Sequence, residues 1–232
     1  QHIPAIRPQG PHVQRAGIDA RPPPATKCLT KEAPLPTALI VIDAQVDFCP
    51  GGRLAVAGGD EIMAPINDLM ADYDAVILTQ DWHPADHSSF ADNHPGAAPF
   101  STVQMEYGQQ VLWPQHCVIG SAGAGFHPAL AVDVADMIIR KGYNPEIDSY
   151  SAFFENDHRT RTGLEGYLRE RGLMRVDFVG LAHDFCVAWS AIDAAKLGFT
   201  ARVIEDATRA IDLNGSRAAA REAMRAAGVT LT

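Results

Sequence analysis

The hydrophobic residues of the chain are concentrated in short runs, and the alternation of these runs with amphipathic segments predicts the fold. Five runs of apolar, often β-branched residues have the length of buried strands. They occupy residues 37–43, 75–80, 136–142, 176–180 and 200–206. A strand run with few polar interruptions is typical of a parallel strand that is covered on both faces. The pattern therefore predicts a sheet whose strands are mostly parallel.

Between these runs, apolar residues recur at the spacing of one helix face. Predicted helices cover residues 60–72, 164–171, 186–197 and 216–227, and glycines follow the last two of them. A glycine directly after the last apolar position is a common helix stop. Strands that alternate with helices predict a three-layer α/β fold, in which helices cover both faces of a central, mostly parallel sheet.

Proline content divides the chain at about residue 36. Eight prolines and an excess of basic residues mark residues 1–36 as an N-terminal arm that we expect to be flexible. Residues 37–232 have the length of one α/β domain. Within it, residues 81–125 form a long insertion rich in proline, glycine and serine, and a loop of this length usually carries function.

Charge and cysteine usage exclude several classes of protein. The formal net charge of −9, with no basic stripe, argues against a nucleic-acid partner. No run of about 18 apolar residues is present, so we expect no membrane span. Four cysteines without paired spacing indicate a reducing compartment, and we expect the protein to be cytoplasmic.

Three predicted strands lead to residues with matching chemistry, namely Asp43, Lys141 and Cys186. Working groups in open α/β sheets lie at the carboxyl ends of strands, so the three side chains are expected to meet there. Cys186 also lies near the start of a predicted helix, where free N–H groups lower a thiol pKa and can bind an oxyanion. A carboxylate can accept the thiol proton, and an ammonium offsets the repulsion between the two anions. The alternative is that Cys186 is a small buried hydrophobe.

The 81–125 insertion contains a candidate metal site. Asp81, His83 and His87 follow the second strand at close spacing, and His116 lies about thirty residues further on. One carboxylate and three imidazoles suit a divalent metal ion such as Zn, Mn or Fe, with positions left for water or substrate. The alternative is a hydrophilic loop whose histidines lie in water, which also remains open for His94 and His127.

The motifs in this order resemble those of the nicotinamidases and pyrazinamidases of the isochorismatase-like cysteine hydrolase superfamily. The resemblance extends from about residue 38 to the C-terminus. The matching segments are VIDAQVDFCPGG at 41–52, DWHP at 81–84, HSSF at 87–90, WPQHCV at 113–118, KG at 141–142, DSYSAF at 148–153 and GLAHDFCV at 180–187.

The resemblance implies a role for each motif residue. It implies that Cys186 is the nucleophile, Asp43 the proton carrier and Lys141 its partner. It implies a cis peptide between Leu181 and Ala182, with the N–H groups of Ala182 and Cys186 forming an oxyanion hole. Further implied sets are the metal ligands Asp81, His83, His87 and His116 and the substrate-pocket residues Phe48, Trp113, Tyr150 and Leu181. His183 departs from the family pattern, in which a smaller residue such as threonine is expected.

The implied activity is hydrolysis of the small molecule nicotinamide to nicotinate and ammonia through a cysteine thioester, in NAD salvage. Pyrazinamide is a second expected substrate, and a homo-oligomer remains open. Three other functions also remain open: a metallohydrolase that uses metal-bound water, a non-catalytic metal-stabilised binding protein, and a metal-free relative that acts on another amide or on isochorismate. The Asp/His set argues against the last of these.

Overall fold

The computed structural model describes residues 35–232, which form a six-stranded parallel sheet with flanking helices. The sheet order is β5-β2-β1-β6-β7-β8, and every neighbouring pair is parallel. Its strands are β1 (Thr37–Ile42), β2 (Ala75–Asp81), β5 (Met137–Lys141), β6 (Arg175–Leu181), β7 (Thr200–Arg209) and β8 (Thr230–Leu231). The predicted arm lies almost entirely outside the described residues, so the boundary at residue 36 remains a prediction.

The predicted helices are present with slightly different ends. They are α1 (Met63–Met70), α2 (Leu164–Glu170), α3 (Ala188–Lys196) and α4 (Ser216–Ala226). A short 3-10 turn precedes α1, and a π-type turn at His183–Val187 precedes α3. No helix within residues 35–232 has both the length and the apolar character needed to cross a bilayer.

The connections reverse direction between β1 and β6. The step from β1 to β2 runs toward one edge of the sheet, whereas the steps from β6 to β7 and β8 run toward the other. Because such crossovers are right-handed, α1 lies on one face of the sheet and α3 and α4 lie on the opposite face. The reversal opens a crevice at the carboxyl ends of β1 and β6, the usual position of a ligand site in open α/β sheets. The three-layer prediction is confirmed.

Strand register determines which side chains share this edge. Asp81 and Lys141 are paired residues of β2 and β5, and Ile42 pairs with Gly180 of β6. Gly180 has a φ of +106°, and a Cβ atom there would lie 2.1 Å from the carbonyl oxygen of Ile42. Only glycine permits this approach of β6 to β1. The close approach brings the segments after these two strands together.

The insertion at 81–125 differs from the prediction of an irregular loop. It contains an antiparallel hairpin, β3 (Thr102–Met105) and β4 (Gly108–Val111), joined by a tight turn. The strands are short and polar and alternate only weakly between exposed and covered positions, so the hydrophobic pattern gave no signal. Buried Gln110 on β4 connects the hairpin to the site described next.

Candidate active site

Lys141 lies at the centre of a buried cluster at the carboxyl ends of β1, β2 and β6. Its ammonium lies 2.8 Å from Asp43 Oδ2, donates to Asp81 Oδ1, and lies 3.6 Å from Cys186 Sγ. It also donates to the carbonyl oxygen of Ser149 at 2.8 Å. The three candidate groups predicted from strand ends are therefore brought together, and Asp81 of the predicted metal set joins them.

The electrostatics of the cluster favour a neutral thiol beside an ionised carboxylate. Burial raises the pKa of Asp43 to about 6, against the opposing effect of Lys141. Burial likewise raises the pKa of the Cys186 thiol well above its usual range, and Lys141 does not outweigh it. The prediction that the helix start lowers this pKa is therefore wrong, because the cost of burying a thiolate exceeds the gain from nearby positive charge.

Asp43 is held in place from a neighbouring strand. Its Oδ1 atom accepts a hydrogen bond from the Thr79 hydroxyl at 2.6 Å, and its own N–H donates to that hydroxyl at 3.1 Å. Its second carboxylate oxygen faces Lys141. One ligand atom each of Asp43, Asp81 and Cys186 lies within 4.8 Å of the others. Asp43 is thus positioned to exchange a proton with the thiol without moving far.

The backbone after β6 has the form that the family resemblance implies. The peptide bond between Leu181 and Ala182 is cis. The carbonyl oxygen of Ala182 accepts hydrogen bonds from Phe185 N and Val187 N, both at 3.1 Å, which closes the π-type turn. Ala182 and Cys186 both line the same cavity.

The predicted metal ligands converge on Asp81. His83 Nε2 and His116 Nε2 lie 3.6 and 3.7 Å from Asp81 Oδ2. Their Nδ1 atoms lie 2.8 Å from the carbonyl oxygens of Gly142 and Pro114 respectively. Because a carbonyl can only accept, both rings carry a proton on Nδ1, and their Nε2 atoms face Asp81. This donor set fits a divalent metal ion.

His87 occupies the far side of this group. Its Nδ1 atom faces Ser89, with the hydroxyl at 2.8 Å and the N–H at 3.1 Å. Its buried Nε2 atom has no hydrogen-bond partner among the described residues. Burial and the neighbouring His83 lower the pKa of His87 to about 4, so the imidazole is neutral, as a metal ligand must be.

Asp148 is a buried carboxylate that sequence reasoning did not assign to the site. One of its ligand atoms lies within 4.8 Å of those of His83 and His87. It was included in the family motif at 148–153, but no spacing argument linked it to histidines sixty residues earlier. Gln110 of the hairpin donates to its Oδ2 atom at 2.7 Å and to the Tyr150 hydroxyl at 2.9 Å. The hairpin thus helps to position both side chains.

An aromatic cavity of about 320 Å³, a volume that includes space open to solvent, lies above the cluster. The predicted pocket residues Phe48, Trp113 and Tyr150 line it, whereas Leu181 is fully buried in the core and does not. The lining residues that were not predicted are Leu54, Asp148, Phe185 and Ile211. The ring centroids of Trp113 and Phe185 lie 4.9 Å apart, and the rings meet edge to face. Such walls suit a small flat ring.

The ammonium of Lys141 is the fixed positive charge of the buried cluster. Lys141 keeps its proton, because Asp43 and Asp81 raise its pKa in spite of burial. Asp81 also raises the pKa of His83, although burial acts in the opposite direction, so this imidazole can carry a second positive charge beside the two carboxylates. A divalent ion held by the histidines beside Asp81 would supply that positive charge instead.

Comparison with known proteins agrees with this geometry. The Isochorismatase domain family matches residues 37–232. A nicotinamidase of Acinetobacter baylyi is 57% identical over 83% of this chain and 90% of its own length. The structure of a nicotinamidase/pyrazinamidase from Acinetobacter baumanii has a TM-score of 0.84, with 56% identity over 85% of this chain and 96% of that chain.

A zinc-containing structure is also among the similar proteins. The pyrazinamidase of Pyrococcus horikoshii in complex with zinc has a TM-score of 0.68 and 33% identity, and it covers 84% of this chain and 98% of that chain. The matched family model spans the whole described domain except its first two residues. The chain therefore belongs to the isochorismatase family.

Proposed function

We propose that this protein is an amidohydrolase that converts nicotinamide to nicotinate and ammonia, and pyrazinamide to its acid. The observation that carries the proposal is the buried contact of Lys141 with Asp43 and Cys186 on the floor of an aromatic cavity. Similar proteins named nicotinamidase, which match most of their own length, support the choice of substrate. Ammonia release from nicotinamide by the purified protein tests it directly.

The proposed reaction begins with proton transfer. Asp43 accepts the Cys186 thiol proton as the sulfur attacks the carboxamide carbon. The carbonyl oxygen becomes an oxyanion, which the N–H groups of Ala182 and Cys186 bind. As the tetrahedral intermediate collapses, Asp43 returns the proton to the departing nitrogen and ammonia leaves. Water, with Asp43 as base, then hydrolyses the thioester to nicotinate and restores the thiol.

Lys141 has two tasks in this scheme. It stabilises the ionised form of Asp43, and it lies close enough to Cys186 Sγ to stabilise the thiolate as it forms. A thiol that is neutral at rest needs a base in contact with it, and a carboxyl group with a pKa of about 6 is suited to take and return a proton near neutral pH.

We further propose that Asp81, His83, His87 and His116 hold a divalent ion, Zn, Mn or Fe. Asp148 lies near enough to two of these histidines to contact ligands or water around the ion. A bound ion would take the pyridine nitrogen as a ligand and so hold the amide against Cys186. That the reaction serves NAD salvage in the cytoplasm, and that the enzyme forms a homo-oligomer, stay predictions.

Benzamide, which lacks the ring nitrogen, is expected to be a much poorer substrate than nicotinamide. Loss of one ligand bond of a few kcal/mol should lower kcat/KM by roughly 10²-fold, since each ~1.4 kcal/mol is tenfold. His87→Ala should impair nicotinamide hydrolysis far more than benzamide hydrolysis. The measurements are kcat/KM for both amides and the metal content of each protein, before and after treatment with a chelator.

His127→Ala is the matched control, because this histidine lies outside the candidate metal groups among the described residues. It should leave both the metal content and the preference for nicotinamide unchanged. If the metal-loaded parent hydrolyses benzamide as well as nicotinamide, no ion holds the ring. The alternative of a metal-bound water nucleophile would then become the better interpretation.

Activity is expected to fall in acid as Asp43 becomes protonated. Its pKa is raised to about 6, so the carboxylate is available above that pH and lost below it. The kcat/KM for nicotinamide, which reports on the free enzyme, should therefore decrease tenfold per pH unit well below about 6. Circular dichroism over the same range separates this effect from unfolding. A profile that stays flat to pH 4.5 on folded protein would contradict the assignment of Asp43 as base.

A further inference from the structure

The turn that carries the proposed oxyanion hole is fixed by two side chains that follow Ala182. His183 connects it to β7 and α4, and Asp184 connects it to the segment before α4. The Asp184 carboxylate accepts hydrogen bonds from Ile211 N at 3.0 Å and from Asp212 N at 2.8 Å. The contacts of His183 and those of Asp184, which we call the two anchors, lead to different parts of the structure. The turn therefore remains connected to its surroundings when one anchor is removed.

The His183 anchor is a chain of three side chains. His183 Nε2 lies 3.1 Å from Glu205 Oε1 on β7. Arg221 of α4 contacts the same carboxylate: its Nη2 donates to Oε2 at 3.0 Å, and its Nε lies 2.9 Å from Oε1 without hydrogen-bond geometry. We call Arg221, Glu205 and His183 the relay. The ion pair with Arg221 keeps the carboxylate facing the imidazole.

The protonation state of His183 follows from its position. Its side chain is 1% exposed, and burial lowers the pKa of His183, so the ring is neutral and carries one N–H. Glu205 can only accept, which places that proton on Nε2. Nδ1 then has no donor or acceptor partner among the described residues. The contact with Glu205 is therefore the single polar restraint on this ring among the described residues.

We infer that the relay is a positioning device that holds the Ala182–Cys186 turn in the geometry that binds the oxyanion. This inference rests on the proposed function. None of the three relay residues lines the cavity, so the relay acts through the backbone of His183, which is bonded directly to Ala182. An oxyanion donor must lie about 2.7–3.1 Å from an oxygen that exists only after attack, so small shifts of the turn are costly.

The relay depends on a residue, His183, at which this chain departs from the family pattern. Family resemblance predicts a small residue at position 183, and a threonine there could not reach Glu205 from the turn. Glu205 and Arg221 lie on elements whose hydrophobic patterns gave no reason to link them to the nucleophile. The described ion pairs of Glu205 involve only His183 and Arg221.

The test compares ligands that do and do not use the oxyanion hole. Pyridine-3-carbaldehyde forms a thiohemiacetal when the Cys186 thiol adds across its C=O bond, and the former carbonyl oxygen then lies where the oxyanion forms. Nicotinate binds the same cavity without that bond. His183→Met and Arg221→Met should each lower kcat by roughly tenfold and weaken aldehyde binding by roughly tenfold. This effect is a part of the 10²–10³-fold loss in kcat expected when an oxyanion donor is removed outright. Nicotinate affinity should change by less than about twofold.

Rescue and control variants distinguish positioning from packing. His183→Gln keeps a side-chain N–H for Glu205 and should restore most of the aldehyde affinity that His183→Met loses. Arg225→Met is the control, because Arg225 is exposed one turn after Arg221 on α4 and forms no ion pair among the described residues. Thermal unfolding of each variant tests whether the fold persists.

Two results would overturn the inference. If His183→Met behaves like Arg225→Met, or if it weakens the binding of aldehyde and nicotinate equally, the relay does not position the oxyanion hole. A parent protein that releases no ammonia from nicotinamide would instead overturn the proposed function, and the inference that rests on it. If the parent protein is active but its relay variants match the control, the inference about the relay fails while the proposed function stands.

Discussion

Replacing Cys186 with alanine is expected to abolish nicotinamide hydrolysis, with kcat lower by on the order of 10⁴-fold or more, the scale seen when a catalytic nucleophile is removed. Cys186 is the described cysteine whose sulfur lies near both Lys141 and Asp43. The variant loses one sulfur atom from the cavity floor and should keep its fold. The measurements are ammonia release and intact-protein mass after quenching during turnover.

The mass measurement separates a covalent mechanism from its main alternative. The parent should carry an acyl group on Cys186 in the quenched sample, and the alanine variant should carry none. Cys49→Ala is the matched control, because its buried thiol lies outside the cluster and burial raises its pKa to about 11. An alanine variant at position 186 that still hydrolyses the amide would favour a metal-bound water as nucleophile.

Asp43→Asn should lower kcat by about 10²-fold or more, the usual contribution of a positioned general base. Asparagine keeps the shape of the side chain but cannot accept the thiol proton. It also leaves Lys141 with Asp81 as its remaining carboxylate partner, which will cost stability. Thermal unfolding and nicotinate binding must therefore be measured together with kcat.

Asp177→Asn is a suitable control for this stability effect. Asp177 is also a buried aspartate on a central strand, and it pairs with Arg202 near the opposite end of the sheet. Its loss should lower the unfolding temperature without lowering kcat. An Asp43→Asn protein that binds nicotinate and keeps most of its kcat would assign the base to another residue.

The fold could be predicted from the sequence largely because its strands are buried on both faces. The mostly apolar runs at 37–43, 75–80 and 176–180 favour central parallel strands, and polar residues at their ends then become neighbours. The β3–β4 hairpin escaped prediction because its strands are short and polar. The two-residue β8 is shorter than any window in which a period can be seen.

The candidate site was predicted less completely than the fold. Residue types and spacing were sufficient to predict that Asp81 and His83 lie together. The pKa of Cys186 depends on burial, which the sequence does not report. Leu181 was assigned to the pocket as part of a motif, although its side chain points into the core. Phe185 lies next to Cys186 in sequence, yet only the π-type turn reveals that its ring forms a wall of the cavity.

The close approach of Gly180 to Ile42 also limits how this enzyme could be redesigned. The contact between these two strands has no spare space, because any side chain at position 180 would collide with backbone rather than with a group that can rotate away. Such a side chain would push apart the two strands that lead to Asp43 and Cys186. The walls of the cavity, in contrast, are side chains such as Phe185 and Ile211 that can be shortened. Directed evolution toward bulkier amides should therefore accumulate substitutions in the walls and leave position 180 as glycine.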